Sequence, residues 1–442
     1  MADVNTTTAE PSINFLIIGG GEVAVVAAAE IRERGTGGRI MIVSPDHDRP
    51  YHHSPLSKGY LRGEVNRRDV FVQPADWYAA NAVELVTDTH ATALDPARCT
   101  VTLDNGRTLH YGTLLLATGG IPRHLDIPGM DLAGVHYLHS LADSESLRAA
   151  AAQAKRAAVI GGGFIGVEVA TALTTYNVET TLIVGDETIW NNLVPPEVAR
   201  FVEQTLSKQG VKLMIEDEAT RILPRGGELR AGSVVTKSGH SVAGDLVVVA
   251  IGSEPNLSLA REAGLALDDA TGGVIVDEYL RTSDPHIFAA GEIASFPDPV
   301  FGRCRVEHWD TECSQGQTVG ANMAGAREAY DHVQYVFSEV FDLRLEILGN
   351  PQASTPTLTR GTMESRSFAV LYLDGPQETV TGAFTVNRPG EELDSYRALI
   401  RQQVSLAGFE SEAEQHPDED LTGLAPDLDA AAAMETAEPE QE

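Results

Sequence analysis

Short apolar runs that end in glycine recur along the chain and give the first indication of its fold. The segment INFLIIGGGEVAVVAAAEIRERG begins at Ile13, and RAAVIGGGFIGVEVATALTTYNV begins at Arg156. Each contains an apolar run of strand length, a glycine turn, and then apolar residues at helical spacing. The chain therefore contains an internal strand–turn–helix repeat, which is typical of an α/β protein.

The two glycine turns share the same spacing of small residues, which are Gly19, Gly21 and Ala24 in the first and Gly161, Gly163 and Gly166 in the second. The first glycine permits a tight bend, the second lets the backbone approach a pyrophosphate, and the third small residue lets helix and strand pack closely. The pyrophosphate then lies at the helix N-terminus. One such motif alone is weak, but two in the same context predict two dinucleotide-binding modules in series.

Each module continues in the same way after its helix. Arg39–Val43 and Thr180–Val184 predict second strands, and an acidic residue follows each of them, Asp46 in the first module and Asp186 in the second. Both acids lie near the spacing of roughly 20 residues at which a carboxylate binds a ribose. The runs YGTLLLATGG and GDLVVVAIGSEPN predict one closing strand for each module.

A third region follows the two modules. His286–Phe296 predicts a strand that runs into Gly291 and Glu292, and Arg305–Gly325 predicts a helix. Beyond it, three stretches predict strands and a fourth predicts a terminal helix, in the order Val333–Leu348, Ser367–Leu373, Thr379–Asn387 and Glu391–Ala407. Low hydrophobicity and high charge predict disorder for residues 409–442, and residues 1–11 are also expected to be disordered.

The net charge of −32 is partly local, because Glu410–Glu442 holds twelve acidic residues and no Lys or Arg. The rest of the chain is still acidic, which disfavours nucleic acid and anionic membranes as partners. The apolar runs fall far short of the about 18 residues needed to span a bilayer, and the N-terminus lacks the pattern of a secretory signal. The protein is expected to be soluble and cytoplasmic.

The three cysteines, Cys99, Cys304 and Cys313, form no C-x-x-C and no close pair in the sequence. They are expected to be buried or half-buried thiols. The sequence therefore predicts neither a redox-active disulfide nor a metal site.

Seven motifs in combination resemble the two-dinucleotide flavoprotein reductases: GGGEVA, PYHHSPLSK, LLLATGGIPR, GGGFIGVEVA, AIGSEPN, VDEYLRTSDPHIFAAGEIA and VEHWD. Within that family the chain is similar to the ferredoxin, rubredoxin and putidaredoxin reductases and to apoptosis-inducing factor. The resemblance implies an α/β fold with two Rossmann-like dinucleotide-binding domains, for FAD and NAD, plus a C-terminal α+β domain. The FAD-binding domain would be discontinuous, comprising 12–125 and 254–326, with an NAD-binding domain at 126–253 and a C-terminal reductase or interface domain at 327–408.

For the FAD site, the resemblance implies contacts from the first glycine turn, the loops after it and the returning segment, namely Gly19, Gly21, Glu22, Val23, Ala24, Pro45, Asp46, His53, Lys58, Ala117, Thr118, Gly119, Arg123, Gly291, Glu292, Glu307, His308 and Trp309. Lys58 matches the family lysine beside the flavin N5 edge, and Glu168 matches its acidic partner. A fixed ammonium there stabilises the charge that a hydride brings, and a carboxylate orients the ammonium. With Trp309, which matches an aromatic residue near the flavin ring, these are the predicted catalytic residues.

Taken without the resemblance, two of these residues have simpler interpretations. Glu168 could be a surface glutamate of its helix, and Trp309 could be a core tryptophan at a helix start.

For the nicotinamide cofactor, the resemblance implies contacts from the second glycine turn and the ends of the strands beside it, namely Gly161, Gly163, Phe164, Ile165, Gly166, Glu168, Gly185, Asp186, Glu187, Ile251 and Gly252. A carboxylate after the second strand accepts hydrogen bonds from both ribose hydroxyls and repels a 2′-phosphate. No Lys or Arg lies between Asp186 and Arg200. NADH is therefore expected as the cofactor in preference to NADPH.

Four positions depart from the family pattern in the FAD site, and they are Pro45, His53, Ser54 and Glu292. His53 stands where the family has an arginine, and a histidine is shorter and titrates near neutral pH. These changes predict weaker or pH-dependent binding of FAD. His52 falls at a variable position and is expected to be exposed.

The favoured function is an enzyme that passes electrons from NADH through FAD to a small iron–sulfur protein of the ferredoxin or rubredoxin type. Such partners are acidic, so an acidic reductase needs a local basic patch, for which the candidates are Arg62, Arg67 and Arg68, or Arg303 and Arg305. Two alternatives stay open: an NADH-binding redox sensor like apoptosis-inducing factor, or a reductase of a small organic acceptor such as a quinone or radical. Either a monomer or a homodimer is compatible with these functions.

Overall fold

The computed structural model describes residues 12–376 and 378–408, so the predicted disordered ends fall outside the described residues. Its helices, in chain order, are α1 (Glu22–Glu33), α2 (Gly59–Arg62), α3 (Ala75–Ala80), α4 (Leu141–Ala151), α5 (Phe164–Thr174), α6 (Pro196–Lys208), α7 (Ser258–Glu262), α8 (Trp309–Met323) and α9 (Gly390–Arg401).

The strands that the structure describes are, in chain order, β1 (Ile13–Ile18), β2 (Ile40–Val43), β3 (Val83–Val86), β4 (Ala91–Asp95), β5 (Thr100–Leu103), β6 (Thr108–Leu116), β7 (Gly120–Pro122), β8 (Val135–His136), β9 (Arg156–Ile160), β10 (Glu179–Ile183), β11 (Lys212–Met214), β12 (Ala219–Pro224), β13 (Ala231–Thr236), β14 (Ser241–Ala243), β15 (Leu246–Val249), β16 (Ser253–Pro255), β17 (Val274–Ile275), β18 (Ile287–Ala289), β19 (Ala294–Asp298), β20 (Gly302–Cys304), β21 (Tyr335–Val340), β22 (Leu343–Gly349), β23 (Thr357–Thr362), β24 (Ser367–Asp374) and β25 (Thr379–Val386).

The chain divides into two compact units. Unit 1 consists of the described residues of Met1–His52, Arg67–Ile121 and Glu254–His332, and unit 2 consists of those of His53–Asn66, Pro122–Ser253 and Val333–Glu442. The chain therefore leaves the first glycine-turn module and later returns to it, as a discontinuous domain does. The finer division into three domains, with the boundaries given above, stays a prediction.

Unit 1 is built on a seven-stranded sheet in the order β3-β2-β1-β6-β5-β4, with β18 also pairing with β6. Strands β3, β2, β1, β6 and β18 are joined in parallel, whereas β4, β5 and the first half of β6 are antiparallel. Ile17 of β1 lies between Ile42 and Leu115. All three are fully buried, so the apolar runs form strands because both faces of this sheet are covered.

Helices α1 and α8 of unit 1 pack closely because small residues line their contact. A Cβ on Gly316 would lie 2.8 Å from the Cβ of Val26, and one on Gly320 would lie 2.7 Å from the carbonyl oxygen of Ala27. Larger residues at these two positions of α8 would push the helices apart.

Unit 2 repeats the parallel pattern in a five-stranded sheet ordered β11-β10-β9-β15-β8. Val159 of β9 lies between Leu182 and Val248, as Ile17 lies between its partners in unit 1. Unit 2 also contains an antiparallel sheet ordered β21-β22-β25-β24-β23, against which α9 packs, and a smaller sheet of β12, β13 and β14. The predicted α/β class, with two related modules and a C-terminal α+β region, is confirmed.

Several predicted boundaries were wrong. The helix predicted from Arg305 begins at Trp309, because the Arg305 guanidinium donates to backbone carbonyls of Thr271 and Glu292 while residue 308 is extended and caps the helix. The helix predicted to reach Ala407 ends at Arg401, where the chain turns back and pairs with β25.

The strand predictions for the C-terminal region also need correction. Val333–Leu348 is not one strand but the hairpin β21–β22, which turns at Phe341 with a positive φ of 55°. Strand β23 was missed, because its sequence TLTRGT carries little apolar signal.

Candidate functional site

The first glycine turn in unit 1 has the geometry that its spacing predicts. Gly19 follows β1 with φ of +127°, and a Cβ at this position would lie 1.8 Å from the carbonyl oxygen of Ala117. Gly21 is the N-cap of α1, and the fully buried Ala24 donates its backbone N–H to the Gly21 carbonyl at 3.2 Å. Val23 is buried as well. The turn therefore brings the N-terminus of α1 close against the end of the sheet.

Glu22, the first residue of α1, is a buried carboxylate with two side-chain partners. It is 2% exposed, and its Oε1 lies 2.8 Å from His52 Nδ1 and accepts from Cys313 Sγ at 3.4 Å. The hydrogen bond with Glu22 raises the pKa of His52 above its ordinary value. The expectation that His52 is simply exposed is therefore wrong, because a buried carboxylate needs a partner and His52 supplies it.

Two further carboxyl groups of unit 1 have strongly raised pKa values. Burial, with the nearby negative charge of Glu307, raises the pKa of Glu292 to about 7. Burial also raises the pKa of Glu312 well above its ordinary value, and the charges of Glu292 and Glu22 add to the effect. Three carboxyl groups therefore interact in the unit that carries the first glycine turn, and they cannot all be ionised without mutual repulsion.

Two polar atoms near these groups are buried and have no hydrogen-bond partner among the described residues, and they are Glu22 Oε2 and Gln315 Nε2. Gln315 is held in place because its Oε1 accepts from the backbone N–H of Gly291 at 2.8 Å. A glycine turn together with an unpartnered acceptor and an unpartnered donor fits a dinucleotide with hydroxyl-bearing chains, such as FAD.

The acid after β2 is fixed by its own loop. Tyr51 donates its hydroxyl to Asp46 Oδ2 at 2.5 Å, and the backbone N–H of Asp46 donates to Ser44 Oγ at 3.1 Å. Pro45 is exposed beside it. Asp46 is therefore held at the carboxyl end of β2, which is where a ribose-binding acid is expected.

Other predicted FAD residues of unit 1 lie at the ends of β6 and at the start of α8. Thr118 Oγ1 donates to the Asn256 carbonyl at 2.7 Å, and Gly119 has a φ of 59°. Glu307 forms an ion pair with Arg305 at 2.7 Å. The side chain of His308 caps α8, and the half-buried Trp309 is the first residue of the helix.

The second glycine turn, in unit 2, repeats the first. A Cβ on Gly161 would lie 2.1 Å from the Ala250 carbonyl oxygen, and one on Gly166 would lie 1.9 Å from the Gly161 carbonyl oxygen. By contrast, a Cβ on Gly163 would meet no described atom within 4 Å. Space is therefore open at the position where the backbone would approach a pyrophosphate.

The next two residues of α5 have different surroundings. Phe164 packs its ring 5.3 Å from that of Trp190, whereas Ile165 is 40% exposed. The Ile165 side chain is therefore open to solvent at the start of the helix that follows the glycine turn.

Acidic residues gather at the carboxyl end of β10. Gly185, Asp186 and Glu187 are exposed there. The backbone N–H of Glu216 donates to the Asp186 carbonyl at 3.1 Å, so a second acidic stretch lies beside the first, and it continues to Glu218. Carboxylate oxygens at this strand end can accept hydrogen bonds from hydroxyl groups.

Three predicted residues lie where the closing strand of unit 2 ends. Arg123 donates its backbone N–H to the Gly252 carbonyl at 3.0 Å and its Nε to the Ser253 carbonyl at 2.9 Å. Gly252 has a φ of 99° and is exposed, and Ile251 before it is half-buried.

Lys58 and Glu168 form a buried ion pair in unit 2. Lys58 is 8% exposed and Glu168 is 2% exposed, and Lys58 Nζ lies 3.0 Å from Glu168 Oε2. The glutamate belongs to α5, and the lysine follows a short 3-10 helix, Ser54–Ser57. The interpretation of Glu168 as a surface glutamate is therefore wrong, and the pairing predicted from two positions 110 residues apart is present.

Two serines that the sequence did not indicate also bind Glu168. Ser57 Oγ donates to Glu168 Oε2 at 2.5 Å, and Ser338 Oγ donates to Glu168 Oε1 at 2.6 Å. The loop before Lys58 also contains His53, whose ring centroid lies 6.3 Å from that of His139. No sequence signal marks Ser338, because it lies 170 residues from its partner in a different kind of element.

The cysteines agree with their predicted character. Cys99, Cys304 and Cys313 are half-buried free thiols, and burial raises the pKa of the Cys313 thiol. Within residues 12–376 and 378–408, every helix is too short or too polar to cross a bilayer.

Two modules that each carry a glycine turn of the dinucleotide-binding type, with a buried lysine–carboxylate pair on the second, are typical of an oxidoreductase that uses two dinucleotides. Comparison with known proteins agrees, because a family profile described as pyridine nucleotide-disulphide oxidoreductase matches residues 13–316 and one described as reductase C-terminal matches residues 335–422. The chain belongs to the pyridine nucleotide-disulphide oxidoreductase family. Membership implies FAD and a pyridine nucleotide as cofactors.

Relatives and solved structures cover nearly the whole chain. Putidaredoxin reductase of Pseudomonas putida is 31% identical over 405 residues, which are 90% of this chain and 95% of the relative. The ferredoxin–NAD(+) reductase component of the anthranilate 1,2-dioxygenase system of Burkholderia cepacia is 34% identical over 389 residues, or 87% and 93% of the two chains. The covalent putidaredoxin reductase–putidaredoxin complex superposes with a TM-score of 0.87 at 29% identity, covering 95% of this chain and 99% of that chain.

Proposed function

We propose that this protein is an NADH-dependent FAD oxidoreductase that passes electrons to a small iron–sulfur protein of the ferredoxin or rubredoxin type. The observation that carries the proposal is the buried pair of Lys58 and Glu168 at 3.0 Å on the helix of the second glycine turn. Bound FAD supplies the conversion between the two-electron chemistry of NADH and the one-electron chemistry of an iron–sulfur protein. Relatives named as reductases of such proteins, which cover about nine-tenths of the chain, support the choice of acceptor.

Residues of unit 1 would hold FAD. The proposed contacts are the first glycine turn and its helix start, the loop after β2, the end of β6, and the segments at Gly291 and Trp309: Gly19, Gly21, Glu22, Val23, Ala24, Pro45, Asp46, Ala117, Thr118, Gly119, Gly291, Glu292, Glu307, His308 and Trp309. The family resemblance also assigns His53, Lys58 and Arg123 to this cofactor. The corresponding domain division is 12–125 with 254–326 for FAD, 126–253 for NADH and 327–408 for the C-terminal domain.

Lys58 would supply a fixed positive charge where hydride delivery creates negative charge, because a preorganised charge in a site that excludes water stabilises developing charge. Glu168 would hold that ammonium in one orientation. Their burial matters, because the ion pair interacts far more strongly at low solvent exposure than it would in water.

NADH is the proposed donor rather than NADPH. Gly161, Gly163, Phe164, Ile165 and Gly166 would take the pyrophosphate and Gly185, Asp186 and Glu187 the adenosine ribose, with Ile251 and Gly252 toward the nicotinamide. The exposed carboxylates at the end of β10, reinforced by the acidic stretch that begins at Glu216, support this preference.

The arginines considered as a basic docking patch are mostly engaged with acids or carbonyls. Arg62 pairs with Glu64 and Glu339 at 2.9 and 3.2 Å, and Arg67 pairs with Asp48 at 2.8 Å. The Arg62 and Arg67 side chains therefore add little net positive charge that could attract an acidic partner.

The test is anaerobic reduction of the purified, yellow protein with NADH and with NADPH, followed by a screen of acceptors. The proposal expects faster reduction by NADH and reduction of cytochrome c only when a ferredoxin or rubredoxin is added. Slow reoxidation in air with formation of a dimer would instead indicate a redox sensor, and turnover with a quinone but no iron–sulfur protein would indicate an organic acceptor. A colourless protein that binds no FAD would refute the whole proposal.

A further inference from the structure

Both carboxylate oxygens of Glu168 have donor partners, and the donors to the two oxygens come from different parts of unit 2. Its Oε2 contacts Lys58 Nζ at 3.0 Å and accepts from Ser57 Oγ at 2.5 Å. Its Oε1 accepts from Ser338 Oγ at 2.6 Å. The carboxylate plane is therefore set by a donor on each side, and the orientation of Oε2 toward Lys58 depends on the contact at Oε1.

Ser338 lies on β21, the first strand of the C-terminal sheet, where it is 1% exposed and paired in register with Leu345 of β22. The main chain that carries its hydroxyl is therefore held by a ladder of backbone hydrogen bonds. The preceding residue of the same strand, Phe337, places its ring centroid 5.4 Å from Lys58 Nζ, within the range of a cation–π contact. One strand thus reaches both members of the ion pair.

We propose that Ser338 is a positioning residue of the reductive site, so that the C-terminal region completes the Lys58–Glu168 pair as well as serving as an interface domain. The inference rests on the proposed function, because that function gives the Lys58–Glu168 pair its catalytic role; the geometry of the pair is independent of it. Without the Ser338 hydroxyl, Glu168 Oε1 would lose its partner in a buried environment, and the carboxylate would be free to rotate away from the lysine. The ammonium would then be less well placed.

A purely structural role for Ser338 would have a different signature. In that case its hydroxyl would satisfy a buried carboxylate and contribute to stability, with no effect on the electrostatics at Lys58. The flavin midpoint potential separates these two roles, because it depends on the position of nearby charge and not on the stability of the fold.

The experiment compares Ser338→Ala, Ser338→Thr and the matched control Ser367→Ala in the FAD-loaded protein. Ser367 is on β24 of the same sheet, and its hydroxyl donates to the Asn387 carbonyl at 3.3 Å rather than to a charged group. We expect Ser338→Ala to slow flavin reduction by NADH about tenfold with little change in KM, as for the loss of one hydrogen bond to a charged group. The midpoint potential should fall by about 30 mV, which is tenfold in a two-electron equilibrium.

Ser338→Thr, which keeps the hydroxyl, should restore both values to within about twofold of the wild type, and Ser367→Ala should leave them unchanged. Wild-type rate and potential in Ser338→Ala would overturn the inference, whatever its stability. So would failure of the Thr variant to restore the potential when its unfolding is normal.

A second measurement keeps the inference separate from the proposed function. Urea unfolding of the protein as purified is followed for the wild type, Lys58→Met, Ser338→Ala and the double variant. If Ser338 acts through the ion pair, the decrease in the urea concentration at half-unfolding that Ser338→Ala causes should differ between the wild type and the Lys58→Met background. Additive losses would overturn the inference even if FAD binding and NADH reduction are as proposed, and coupled losses in a protein that NADH does not reduce would refute only the proposed function.

Discussion

Removing the charge of Lys58 is the most direct test of the buried ion pair. Lys58→Met keeps the aliphatic stem but leaves the carboxylate of Glu168 with two hydroxyl donors, from Ser57 and Ser338. Glu168→Gln keeps the shape of the glutamate but leaves the ammonium with the Ser54 carbonyl at 3.4 Å as its remaining hydrogen-bond acceptor among those given by the structure.

The size of the effect follows from the burial of both partners. Removing one member of a buried pair costs about 3–5 kcal/mol, because the other charge stays buried without compensation. The two serines still bind Glu168, so we expect about 3 kcal/mol for Lys58→Met, at the low end of that range. The double variant Lys58→Met with Glu168→Gln buries no charge, so it should cost about 2 kcal/mol, well below the sum of the single losses.

The assay is urea unfolding of the cofactor-free protein, followed by circular dichroism at pH 7. Lys237→Met is the matched control, because Lys237 and Glu218 form an exposed pair at 3.4 Å, and surface pairs contribute about 0.5 kcal/mol or less. In the FAD-loaded protein, Lys58→Met should also slow reduction by NADH about 100-fold, as for the loss of one preorganised electrostatic contact.

Two outcomes would contradict the reasoning. If the single variants lose no more stability than Lys237→Met, the pair is not effectively buried. If the single losses add up in the double variant, Lys58 and Glu168 do not interact across the 3.0 Å that separates them.

Three other predictions concern the cofactor sites. His53→Arg should tighten FAD binding, measured by flavin fluorescence titration, and an unchanged Kd would show that the family arginine has no equivalent role here. FAD affinity should fall between pH 6 and pH 8.5, because Glu292, whose pKa is raised to about 7, loses its proton in this window and adds a negative charge to unit 1. Glu292→Gln should make FAD affinity independent of pH over this range, and equal FAD occupancy of the wild type at both pH values would refute this prediction. Asp186→Ala combined with Glu187→Arg should raise kcat/KM for NADPH about tenfold relative to NADH, and an unchanged ratio would place nucleotide selection elsewhere.

The same carboxyl group predicts the pH dependence of the cofactor-free fold. The folded-state pKa of Glu292 lies near 7 and its ordinary value is 4.5, so the folded state favours the protonated form. Its stabilising contribution is present below pH 4.5 and is lost as the pH rises to about 7, and the shift corresponds to at most about 3 kcal/mol. Glu292→Gln should therefore become more stabilising, relative to the wild type, as the pH rises through this window in urea titrations.

The architecture was largely predictable because its signals are local. A glycine at position 19 or 161 is required by a positive φ and by a carbonyl oxygen within about 2 Å of a would-be Cβ, and both requirements arise within one strand–turn–helix segment. The strands of both parallel sheets can also be recognised in the sequence, because strands buried on both faces need continuous runs of hydrophobic residues. The polar strand β23 was missed for the opposite reason, since its pairing with β24 leaves little apolar pattern.

The glycine turns could thus be recognised from residue order, and the pairing of Lys58 with Glu168 followed from the family resemblance, whereas the other partners of the buried charges could not be predicted. His52 pairs with Glu22, 30 residues away, and Ser338 binds Glu168, 170 residues away, and neither histidine nor serine carries a pattern that names its partner. Short-range geometry is encoded by neighbouring residues, so a sequence displays it directly. The burial of a charge and the donors that satisfy it depend on which distant segments fold against each other, and for this chain that information exists only in the three-dimensional packing.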